Sequence, residues 1–108
     1  MENKSTQEQI KEFAEWCGFT DIRIFGGRPG WDGTSPDGEF RAVEIDLNNL
    51  FRYAVPKLTS CNMVRHLNPY GYTFEFKCNI AERYCIVEDK DPALALYWAI
   101  WEVIHNGE

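Results

Sequence analysis

Ile10, Phe13, Ala14 and Cys17 follow the spacing i, i+3, i+4, i+7, which lays one apolar stripe along a helix. The pattern predicts a helix over 5–17. Ser5 or Thr6 caps it, Glu8 or Gln9 completes a capping box, and Gly18 stops it. The rhythm then changes to alternation. Asp21–Phe25 reads as a short strand with Ile22 and Ile24 on one face. Phe40–Ile45 reads as extended chain leading to Asp46, a helix cap. Leu47, Leu50, Phe51, Ala54 and Leu58 mark the apolar face of that second helix, which Pro56 should kink or stop near Val55.

Three strands are predicted next. Asn62–Leu67 is followed by turn chemistry in Asn68-Pro-Tyr-Gly71. Tyr72–Cys78 alternates, with Tyr72, Phe74, Phe76 and Cys78 inward and Thr73, Glu75 and Lys77 outward. Asn79-Ile80 reads as a tight connection to a return strand over 82–87, which makes an antiparallel meander. Asp91-Pro92 opens a last helix, predicted to run to about Asn106 and to end at Gly107. The stretch 26–39 interrupts this order. It holds five Gly and two Pro in fourteen residues, and reads as a long loop. The expected fold is α+β: one domain over 1–108, with three helices packed on a mostly antiparallel sheet of three to four strands, sandwich-like.

The last helix carries two apolar stripes. Ala93, Leu96, Tyr97, Ile100, Val103 and Ile104 form one, the ordinary core face. Leu94, Trp98, Trp101 and His105 form a second, centred about 110° away, where polar residues are expected on a helix lying on a sheet. Two readings fit: a deeply covered helix, or a partner-binding surface rich in the residue favoured at interface hot spots. An exposed Trp pair would also suit a homodimer.

Charge and cysteine content narrow the function classes. Eleven Lys+Arg against seventeen Asp+Glu give a net charge of −6, without a basic run, which disfavours nucleic acid as a partner. No apolar stretch reaches membrane-spanning length and the start is polar, so a cytoplasmic protein without a membrane partner is expected. Cys17, Cys61, Cys78 and Cys85 form no C-x-x-C pair, and their spacing with His66 and His105 matches no common metal site. Cys61 and His66 lie five apart near a strand, so they point to opposite faces and make no nucleophilic dyad. No catalytic residue, cofactor or metal is therefore assigned. The Gly-rich stretch lacks both phosphate-loop signatures. It does offer Arg28 for a phosphate and Trp31 for stacking, with Tyr70 a second stacking candidate, so a nucleotide ligand is the alternative to a protein partner. The competing reading of Trp31 is a ring that packs down as an anchor.

The segment EFAEWCGFTDI at 12–22, the Asp46-Leu-Asn helix entry and DPALALYWAIWEVI at 91–104 resemble the phage ABA sandwich domain. The shared features are the Ala14-Glu-Trp-x-Gly18 turn, the acidic cap and the Ala-rich closing helix. Trp98 and Trp101 stand where that pattern has smaller residues. The resemblance implies an α/β/α sandwich from a bacteriophage or prophage, working in the host cytoplasm, with no assigned activity and no catalytic residues. Small phage accessory proteins of this kind act by binding a host or phage protein, or by sequestering a nucleotide signal of host defence.

Overall fold

The computed structural model describes residues 6–24, 30–69 and 71–105. The protein is α+β, with three helices and two three-stranded antiparallel sheets. It divides into two compact units, 1–44 and 45–108.

In the first unit α1 (Thr6–Trp16) precedes β1 (Thr20–Arg23), β2 (Gly30–Thr34) and β3 (Phe40–Glu44), which pair in the order β1-β2-β3. The Ser5 cap lies outside the described residues. Gly18 ends α1 as expected. It adopts φ +98°, so Gly18 N–H donates to Glu15 O (2.9 Å) and Phe19 N–H to Ala14 O (3.1 Å). This is the reciprocal closure that a left-handed residue permits.

The stretch 26–39 is not a continuous loop: its 30–34 portion is the central strand β2. Glycine density argued against a strand, but here the glycines are what let neighbouring strands close in. A Cβ on Gly30 would press into the Val43–Glu44 backbone, 2.9 Å from Glu44 Cα, and one on Gly33 would lie 3.0 Å from Thr20 O. Between them Trp31 supplies the apolar anchor. The β2–β3 hairpin closes over 35–39. Gly38 N–H donates to Ser35 O and Ser35 N–H to Glu39 O, both at 2.8 Å, with Gly38 at φ +91°. The expected single sheet is thereby replaced by two, because β2 gives β1 and β3 a partner. Ile10, Phe13, Ala14, Cys17, Phe19, Trp31 and Val43 form the buried core of this unit.

In the second unit α2 (Leu47–Tyr53) starts at Asp46, whose carboxylate accepts from Asn49 N–H at 2.9 Å. A 3₁₀ turn over Val55–Lys57 contains Pro56, so the helix stops where proline forbids its continuation. Phe51, expected on the buried face, is exposed; Leu50 and Ala54 are buried.

Strands β4 (Ser60–Asn68), β5 (Gly71–Ile80) and β6 (Arg83–Asp89) follow as the predicted meander, each longer than its alternation suggested. The second turn falls at Ala81-Glu82, not Asn79-Ile80. Ile80 pairs with Arg83, and Ala81 takes the positive φ (+55°) that a two-residue hairpin demands.

Asp91 then caps α3 (Pro92–His105), accepting from Ala93 N–H (2.9 Å) and Leu94 N–H (3.3 Å). The predicted stop at Asn106 and Gly107 lies outside the described residues. Helix α3 packs on β5 and β6 and also meets α2. Phe76, Cys78, Leu96, Ile100 and Val103 are fully buried at this centre, and Tyr97 is nearly so. No helix among the described residues is long and apolar enough to cross a membrane.

Candidate functional site

Of the second α3 stripe, Leu94 is exposed, Trp98 and His105 are half-buried, and Trp101 is buried at 8% exposure. The His105 ring stacks on Trp101, with centroids 3.9 Å apart, and its Nδ1 meets Trp101 O at 2.9 Å. Trp98 meets Tyr97 edge-on. Trp101 therefore belongs to the packed interior, and the surface portion of the stripe shrinks to Leu94, Trp98 and His105.

The ligand-stacking role read for Trp31 is overturned. Its ring is 2% exposed, packed against Phe13 (6.2 Å) and edge-to-face with Phe19 (5.3 Å). Its indole N–H has no acceptor among the described residues, so packing alone holds it. A ring covered this way cannot stack on a base. Arg28 and Tyr70, the other residues of that reading, lie outside the described residues.

Strand register places the remaining chemistry-bearing residues of the second unit. Directly paired residues share a face of an antiparallel sheet. Cys61, Cys78 and Cys85 are register partners in one row across β4, β5 and β6. Cys78 is fully buried on the face that α3 covers. The Cys61 and Cys78 sulfurs are 3.9 Å apart. The hydrogen bond between the two thiols holds the Cys61 pKa below that of an ordinary thiol. The same bond, with burial, pushes Cys78 far up, so Cys61 is the more readily ionised of the two. Burial, with Glu102 nearby, also raises Cys85.

The opposite face of this sheet carries His66, Thr73, Glu75, Lys77, Ile86 and Glu88. His66 pairs in register with Thr73, and Glu75 with Glu88. His66 Nε2 lies 2.8 Å from Glu75 Oε1, and the Thr73 hydroxyl donates to Glu88. One ligand atom from each of His66, Glu75 and Glu88 lies within 4.8 Å of the other two. In the sequence His66 was weighed with the cysteines and His105, and not with these glutamates. The two glutamates were missed, although the outward alternation of Thr73, Glu75 and Lys77 already put Glu75 on the open face. Glu88 lies beyond the strand predicted over 82–87, and only the β5–β6 register sets it opposite Glu75.

Strand β4 is an edge of this sheet, which runs β4-β5-β6. None of its nine residues is buried. Met63 (53%), Val64 (48%) and Leu67 (74%) are exposed there. Its Arg65 lies over the Tyr72 ring at 4.5 Å and its His66 bonds Glu75, so both engage side chains of β5.

Compared with protein-family models, with curated proteins and with solved structures, the chain matches none.

Proposed function

We propose that this chain is a non-catalytic accessory protein of a bacteriophage or prophage that binds a host or phage protein, and that the partner docks along β4. The phage origin rests on the sequence resemblance of the first and last helices, and with it comes the α/β/α sandwich arrangement. The docking site rests on one observation: a nine-residue edge strand with no buried residue, bearing Met63, Val64 and Leu67. An edge of this kind offers a row of backbone donors and acceptors, and alternate side chains on each face can select the incoming strand. Edges are commonly protected by charges held over them. The basic side chains of β4 instead engage Tyr72 and Glu75.

The test is affinity capture from host cells with matched variants. The double variant Met63→Lys, Leu67→Lys places charge on the edge at two positions that are each more than half exposed. It should lose the protein captured by the parent chain while keeping its melting temperature within a few degrees. Leu94→Lys on α3 should retain it. Capture that survives the β4 variant and disappears with Leu94→Lys moves the docking surface to α3 and contradicts this reading. Sedimentation of the purified chain identifies the case in which the partner is a second copy.

A further inference from the structure

We infer that the open face of the β4–β5–β6 sheet carries a binding site for one divalent first-row transition cation, held by His66, Glu75 and Glu88. The three residues come from three adjacent strands, and hairpin register fixes their relative positions. His66 stands opposite Thr73, and Glu75 opposite Glu88. Side chains anchored on strands hold ligand geometry better than side chains on loops.

One imidazole nitrogen and two carboxylate oxygens form a mixed set that suits zinc, cobalt, iron or manganese. Atoms bound about 2.0–2.2 Å from one ion lie roughly 3–4 Å apart. The three ligand atoms are already within 4.8 Å of one another, so small side-chain rotations close the site. Three protein ligands on an open face leave positions for water or for a donor from a partner.

Charge gives an independent reason. Glu75 and Glu88 are direct cross-strand partners, and like charges so placed destabilise a sheet. Among the described residues no lysine or arginine pairs with either. Lys77, on this same face, lies over the Tyr84 ring at 4.8 Å. His66 bonds Glu75, and the neutral Thr73 hydroxyl is the partner of Glu88. A divalent cation would neutralise both carboxylates at once. Thr73 would remain as a positioning residue, orienting the Glu88 carboxylate from outside the ligand set.

Cobalt(II) is the probe, titrated into the full chain under reducing conditions and followed by visible absorption and calorimetry. The expected result is one equivalent bound, with ligand-field bands and no sulfur-to-cobalt charge-transfer band. His66→Ala and Glu88→Gln should each weaken binding at least tenfold, and Thr73→Val by less. All three positions lie on the open face, so circular dichroism should be unchanged. Absence of saturable binding overturns the inference. So does binding unchanged in His66→Ala, or a sulfur band placing the ion on the cysteines. Partner capture through β4 is read in a separate assay, so either result can fail alone.

Discussion

Asp37 shows how a single exposed side chain organises a hairpin. It accepts from the Ser35 hydroxyl, from Arg41 at 3.1 Å and from Glu39 N–H at 3.3 Å. Arg41 also pairs with Glu39 at 2.8 Å. The Ser35 and Arg41 hydrogen bonds, then the Glu39 amide, lower the Asp37 pKa to about 2. A folded pKa below the unfolded one makes the contribution fully present above the unfolded value of about 3.9 and lost as pH falls through about 2. Asp37→Asn should therefore melt lower than the parent at pH 6, and the gap should close between about pH 4 and pH 2. A gap that stays constant over that range would show that the carboxylate's charge plays no part. Trp31 makes the complementary point. The sequence presented it in a glycine-rich stretch, where ligand contact and core anchor were both open readings. The tight approach of Gly30 and Gly33 to neighbouring backbone, which decides between them, depends on pairing across distant residues.

Helix α3 was the most legible element, because its cap, period and apolar stripe are all local. What periodicity could not decide was the fate of its second stripe. Both Trp98 and Trp101 lie on it, yet only Trp101 is buried. Trp101→Ala should cost about 3–5 kcal/mol of stability, as removal of a core aromatic does, and Trp98→Ala roughly 1–2 kcal/mol. Chemical denaturation of the two variants checks this, and equal costs would contradict the burial difference. The strands show the opposite balance. Within Tyr72–Cys78 the burial of Phe76 and Cys78 was legible from alternation, but Tyr72, expected inward, is exposed near the strand's start. Strand lengths, the turn at Ala81-Glu82 and the pairing of Glu75 with Glu88 were not legible. Alternation gives the face of a residue, whereas register gives its neighbour, and register is set by the turn. The candidate cation site is made of such neighbours, which is why its glutamates went unread.

At the scale of the molecule, a net charge of −6 opposes long-range attraction to phosphate backbones, and the proposed partner is a protein strand added to one of two antiparallel sheets. In the first unit a shallow depression is lined by Lys11, Glu15, Phe19, Thr20, Asp21 and Ile22, with charges of both signs. The most exposed apolar groups of the second unit's sheet include Met63, Val64 and Leu67 on its β4 edge. Pairing of a partner strand with that edge is checked by hydrogen–deuterium exchange of the chain with and without the captured partner. Amides within 60–68 should slow by at least tenfold in the complex, while those of α3 keep their rates. Protection confined to α3, with 60–68 unchanged, would contradict it.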